Sequence, residues 1–182
     1  PTPVGAAIVD QHGGHLPARI RAVPEGTVVP THQALVTIES TDPHAYWVPS
    51  YLETLLLRLW YPVTVATISW HAKQTIRQFL ERTSDDPVGQ LPFKLHDFGA
   101  RGVSSAESAA LGGAAHLVNF MGTDTISGVL AARAYYQEAM AGFSIPAAEH
   151  STITSWGRER EVLAYRNMLQ HFAKPGGIVA VV

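Results

Sequence analysis

With 182 residues, 46% of them apolar and only 15% charged, the chain can bury one substantial core and is far from the composition of a disordered segment. A net charge of -2 gives no electrostatic case for nucleic acid or an anionic membrane as partner, and the absence of cysteine excludes disulfides and thiolate metal sites. The apolar stretches at residues 55–66 and 178–182 are too short or too interrupted to span a bilayer, and no cationic leader followed by an apolar run is visible. The expectation is a soluble, cytoplasmic protein. Both ends read as cut, because no methionine opens the chain and a β-branched, strand-like run closes it. An internal piece of a longer protein is therefore expected.

In chain order, the first 43 residues read as strands and turns. Strands are expected at residues 18–23 and 34–40, with turns at Pro24-Glu25-Gly26 and Thr41-Asp42-Pro43. Tyr51, Leu52, Leu55, Leu56 and Leu59 recur at helical spacing until Pro62, which should break or kink the run. A second helix is expected from about Val63 to Arg82, and residues 84–89 read as a loop that divides the chain. Residues 1–90 thus form a mixed strand and helix region, and residues 91–182 a second one.

In that second region short apolar strands alternate with polar loops and helices. Strands are expected at residues 93–98, 116–120, 143–147 and 178–182. Between them fall an Ala-rich helix opened by the capping-box spacing of Ser104 and Glu107, a helix at residues 125–136, and another from about Gly157 to Phe172. Repeated βα units imply an α/β fold with a parallel sheet, open or closed into a barrel.

Ligands of such folds bind beyond the carboxyl ends of the strands. There the sequence places Asp97, Phe98 and Arg101, then Thr123 and Asp124, then Ser144, Glu149 and His150. Arg101 offers a planar fork to a phosphate or carboxylate, Phe98 a face for stacking, and His150 a site for a proton or phosphoryl group that Glu149 can tune. Each has a plainer reading. Phe98 can be core, Arg101 a surface ion pair, and Asp124 the cap of the next helix. His96 and His116 read as satisfied core groups inside strands, and the remaining histidines show no ligand spacing.

Three of these segments carry a resemblance. KLHDFGARGVSS at residues 94–105, HLVNFMGTDT at residues 116–125 and SIPAAEHSTIT at residues 144–154 resemble motifs of the nicotinamide phosphoribosyltransferase family. GHLP at residues 14–17, VPEG at residues 23–26 and WYPVTVAT at residues 60–67 are similar to it as well. The resemblance implies part of an irregular TIM-like α/β barrel over residues 91–182. It also implies an enzyme that joins nicotinamide to phosphoribosyl pyrophosphate (PRPP), giving nicotinamide mononucleotide and pyrophosphate in NAD salvage.

By the same resemblance Phe98 stacks on the nicotinamide ring, Arg101 binds near the base or ribose phosphate, and Asp124 accepts a hydrogen bond from the carboxamide. Ser144 lies near the base or ribose, His150 is transiently phosphorylated by ATP, and Glu149 orients it. Mg2+ and ATP are implied as cofactor and co-substrate, with no protein metal ligand among these residues. A homodimer with shared sites is also implied, a second aromatic coming from before Pro1 and phosphate-binding groups from beyond Val182. The isolated chain would then hold half a site and be inactive alone. Ala100 and Met121 depart from the tyrosine and the basic residue usual in these motifs. The rival readings are a nicotinate phosphoribosyltransferase, which shares the barrel and the histidine, and a non-catalytic dimerisation piece.

Overall fold

The computed structural model describes residues 3–182, and its architecture is mixed α/β, with helices predominating over two small sheets. The first element is a helix, α1 (Pro3–His12), where the sequence led us to expect only strands and turns. Gly13 and Gly14 end it in left-handed conformations that glycine adopts without a Cβ clash, at φ 59° and 83°. His12 Nε2 then lies 2.8 Å from Asp42 Oδ2, tying α1 to a distant turn that local sequence does not reveal.

The expected hairpin follows as β1 (Ala18–Ala22) paired antiparallel with β2 (Val36–Ser40), with Ile20 opposite Ile38. Arg19 and Arg21 both donate to Glu39, at 3.0 and 3.1 Å. These pairs are exposed, and each is worth about 1 kcal/mol at most. Asp42 accepts from the His44 backbone N–H and so caps the 3-10 turn Pro43–Ala45.

Helix α2 (Val48–Leu57) and helix α3 (Trp60–Thr83) are separated only by Arg58 and Leu59, whose backbones stay right-handed. Pro62 does not break this run. It sits in the first turn of α3, where a proline's missing N–H has no intrahelical partner to lose. A one-turn helix, α4 (Pro87–Gln90), is capped by Asp86, and the 3-10 turn Leu91–Phe93 occupies part of the stretch read as a strand.

What remains of that strand is β3 (His96–Asp97). Helix α5 (Ala106–Leu117) begins at Ser105, whose hydroxyl accepts from Ser108 N–H at 3.0 Å; the cap is therefore one residue later than the Ser104 spacing suggested. The Ala- and Gly-rich run carries α5 through His116, so the strand expected at residues 116–120 is instead a helix end and a turn. The strand proper is β4 (Gly122–Thr123), followed by α6 (Ile126–Tyr136), a one-turn helix α7 (His150–Thr154), the 3-10 turn Arg158–Arg160 and α8 (Glu161–Phe172).

β3 and β4 pair in parallel, His96 beside Gly122 and Asp97 beside Thr123, and Phe143 bridges Gly122 in parallel on the far side. The strands expected at residues 143–147 and 178–182 are reduced to that bridge and to a second parallel one between Ala147 and Ala180. Their brevity leaves short apolar peptides whose backbone partners lie in single ladder rungs. Beneath the ladder α5 crosses α6 at glycine against glycine. A Cβ built on Gly128 would fall 2.7 Å from Gly113 Cα, so the two backbones touch. Fully buried Phe120 stacks on His116, with ring centres 5.5 Å apart. A separate small cluster of Ala148, Ile153 and Ala164 holds α7 against α8.

Candidate functional site

The carboxyl ends of three adjacent strand segments meet at one carboxylate. Asp124 follows β4, and its N–H donates 2.9 Å to Asp97 O at the end of β3, locking the two loops together. His96 Nε2 lies 3.1 Å from Asp124 Oδ1, and the Ser144 hydroxyl, one residue after Phe143, makes a short hydrogen bond to the same oxygen. Ile145 O, at 3.5 Å, is a weaker acceptor for that hydroxyl proton. Among the described residues no hydrogen bond is directed at Asp124 Oδ2. Partial burial pushes the Asp124 carboxyl up, but the bonds from Ser144 and His96 and the nearby His96 charge outweigh it and hold it below the usual range. Asp124 is thus an ionised acceptor with one occupied and one open oxygen.

The helix-cap reading of Asp124 fails on this geometry. Thr125 occupies the N-cap position of α6 without a side-chain bond, and the Asp124 carboxylate points to His96 and Ser144 instead. Asp97 acts locally. Its Oδ1 accepts from Gly99 N–H at 2.7 Å and its Oδ2 from the Thr123 hydroxyl at 3.3 Å, which shapes the loop carrying Phe98. Phe98 is 59% exposed, so it is not core; its ring leans on His96 at 4.6 Å between centres.

A second cluster stands beside the first. Arg101 lies in the 3-10 turn Gly99–Gly102, with Nη1 3.6 Å from Glu149 Oε1. Glu149 caps α7, its Oε2 accepting from both Ser151 N–H and Ser151 Oγ at 2.8 Å. Those two donors hold its carboxyl down at about 2. His150 opens α7, with Nδ1 3.6 Å from the same Glu149 Oε1 and its side chain 78% exposed. Arg101 and His150 therefore share one carboxylate oxygen in loose ion-pair contact.

Of the eight residues that the sequence places at the strand ends, the six to which the resemblance assigns roles fall into these two clusters: Asp124, Ser144 and Phe98 in one, Arg101, Glu149 and His150 in the other. The residues missed were His96, taken for a core group, and Ser151. The signal for His96 was present, because residues two apart on a strand share a face, and that places His96 on the same side as Phe98. His116 is buried as expected, but on a helix; burial lowers its pKa, and its Nε2 donates 3.0 Å to Gly122 O, pinning α5 beneath β4.

A cleft of about 250 Å3 lies behind the β3 loop, walled by residues that include His96, Phe98, Tyr61, Gly112, His116 and Thr125. Asp124, Ser144, Arg101 and His150 do not line it. Among the described residues no group of three or more His, Asp or Glu side chains could hold a metal ion, and no helix is long and apolar enough to cross a membrane.

Residues 93–181, which carry both clusters, match the Nicotinate phosphoribosyltransferase (NAPRTase) family. The chain is similar to the Nicotinamide phosphoribosyltransferase of Xanthomonas campestris pv. campestris (strain 8004), with 78% identity over 96% of the chain and 37% of that protein. It is also similar to the Nicotinamide phosphoribosyltransferases of Acinetobacter baylyi, 34% identical over 93% of the chain and 34% of that protein, and of Mycoplasma pneumoniae, 35% identical over 76% and 29%. The chain therefore spans about a third of the length of these curated relatives.

Proposed function

We propose that this chain forms the base-recognition and histidine-bearing part of a nicotinamide phosphoribosyltransferase, which joins nicotinamide to PRPP. The observation that carries this reading is the Asp124 carboxylate, held ionised by two donors on Oδ1 with Oδ2 open. A carboxamide presents N–H groups that such an oxygen accepts. The carboxylate of nicotinate presents none and is repelled.

Two unit charges about 4 Å apart at an effective dielectric near 20 interact by roughly 4 kcal/mol. Asp124 is partly exposed, so solvent screening reduces this; half of it, about 2 kcal/mol, still favours nicotinamide some thirtyfold. The names of the relatives point the same way, whereas the family's name points to nicotinate.

In the reaction the pyridine nitrogen bonds to the anomeric carbon of PRPP as the bond to pyrophosphate breaks and the electron pair leaves with pyrophosphate. The transition state is oxocarbenium-like, so alignment of the two substrates contributes more than acid or base catalysis. Phe98 supplies an exposed face for the base, Asp124 fixes its carboxamide edge beside Ser144, and Arg101 lies where an anionic substituent can reach its guanidinium. Arg101 is 3.6 Å from Glu149, close enough to be oriented and loose enough to exchange partners. His150, exposed and next to an ionised Glu149, is the acceptor we assign to the terminal phosphoryl group of ATP, ADP leaving and the phosphohistidine later hydrolysed. Mg2+ would enter on the pyrophosphate of the substrate, since the described residues offer it no seat, and no step assigned to this chain passes through it. The parallel rungs at residues 96–97, 122–123, 143, 147 and 180 are read as an arc of an irregular α/β barrel in a cytoplasmic homodimer.

The test is mass-spectrometric product analysis of the full-length protein given PRPP, Mg2+, ATP and equal nicotinamide and nicotinate. Nicotinamide mononucleotide should predominate, and Asp124→Ser should reduce that preference by about an order of magnitude. Predominant nicotinate mononucleotide would overturn the base assignment, and no product from either base would overturn the enzyme reading. ATP stimulation should disappear in His150→Ala while slow synthesis persists; full stimulation in that variant removes the phosphohistidine.

A further inference from the structure

We infer that His96 is a positioning residue that makes the base-binding edge accept hydrogen bonds only, and so sets the preference for a carboxamide. This rests on the proposed role of Asp124. Because Asp124 is ionised, the contact between His96 Nε2 and Asp124 Oδ1 at 3.1 Å requires the proton to be on Nε2. The single Ser144 hydroxyl proton is directed at the same oxygen. With both donors committed to Oδ1, a ligand meets Asp124 Oδ2 and the lone pairs of Ser144 Oγ, and neither can donate.

The ring is held in place on its other sides. Its face leans on Phe98 at 4.6 Å, and a Cβ on Gly122 would lie 2.8 Å from Nδ1, so glycine is what leaves room for the imidazole there. The other titratable neighbours are Asp97, next in the chain, and His116 from α5 behind it. Without the His96 donor, the Asp124 carboxylate is free to turn about its broad terminal torsion and the Ser144 proton is free to point at the ligand. The edge would then accept or donate, and would reject nicotinate less.

The experiment compares His96→Phe, which keeps an aromatic ring against Phe98 without the donor, with His96→Gln, whose amide N–H replaces Nε2–H. In the full-length enzyme His96→Phe should raise KM for nicotinamide about tenfold, the scale of one hydrogen bond to a charged group, and narrow the nicotinamide-to-nicotinate ratio. Its kcat should stay within about threefold and KM for PRPP should not move. His96→Gln should restore most of the nicotinamide KM and the selectivity.

Unchanged selectivity in His96→Phe, or a Gln variant as impaired as Phe, would overturn the inference. Asp124→Ser run in parallel separates the two readings: if it leaves selectivity intact, the base assignment has failed, and if it relaxes selectivity while His96→Phe does not, only the role of His96 has failed. Should His96→Phe fail to fold, 15N NMR of the wild-type enzyme still decides. The His96 resonance, assigned by its absence in His96→Gln, should report Nε2–H; an Nδ1–H tautomer would overturn the inference.

Discussion

Glu149 and Asp124 are both ionised carboxylates near an imidazole, yet their surroundings give them different roles. Glu149 is bound through Oε2 by its own helix, which leaves Oε1 to Arg101 and His150; Asp124 is bound through Oδ1 by two other strand segments, and among the described residues no hydrogen bond reaches its Oδ2. The Ser151 donors depress Glu149 to about 2, so its capping contribution is fully present above the ordinary carboxylate range, near pH 4.5, and is lost as pH falls through about 2. Glu149→Gln should therefore differ from the parent in thermal stability at neutral pH and converge with it between pH 4.5 and 2, as read by melting curves across that window. A difference that persists unchanged at the acid end would show that the carboxylate is not the capping group.

At the scale of elements, small residues decide the packing. The Ser105 cap and the Gly113–Gly128 contact place α5 so that His116 reaches Gly122 O and supports β4 from below. Ser105→Ala should lower stability by about 1 kcal/mol, measured by denaturant unfolding, because an N-terminal N–H of α5 loses its acceptor. Gly128→Ala should be more costly, about 1–3 kcal/mol, because its methyl would sit 2.7 Å from Gly113 Cα and backbone must move to admit it. Equal stability of Gly128→Ala and the parent would mean that the crossing is looser than its geometry states. Helix periodicity was legible in this part of the chain, as were the ends at Tyr136 and Phe172, but the end of α5 was not. Small-residue runs such as residues 109–115 carry little polar or apolar contrast, and the break before β4 comes from a turn closed by Asn119 and Phe120 N–H bonding back to His116 O.

Across the whole molecule, order is unevenly distributed. α5 and α6 bury Ala109, Ala115, Ala131 and Ala132 around a close backbone contact, whereas β1 is exposed at four of its five residues and its ion pairs lie in solvent. Native-state hydrogen exchange should accordingly show the amides of α5 and α6 most protected and those of β1 opening at lower free energy. Uniform protection of the two regions would contradict this division.

The sequence by itself determined the helices of residues 91–182, but not the strands there, which shrink to β3, β4 and two isolated bridges. It also determined the residue types that gather at the strand ends, because periodicity and turn chemistry are local properties. The resemblance singled out Phe98, Arg101, Asp124, Ser144, Glu149 and His150 among them, and the structure groups all six at the loops that follow the strand segments. Only the tertiary structure decided that His96 belongs with Asp124 rather than with the core, and that His116 supports β4 from a helix. The His96–Asp124 contact joins residues 28 apart at 3.1 Å, and a hydrogen bond across that separation is set by packing rather than by the spacing of neighbours along the chain.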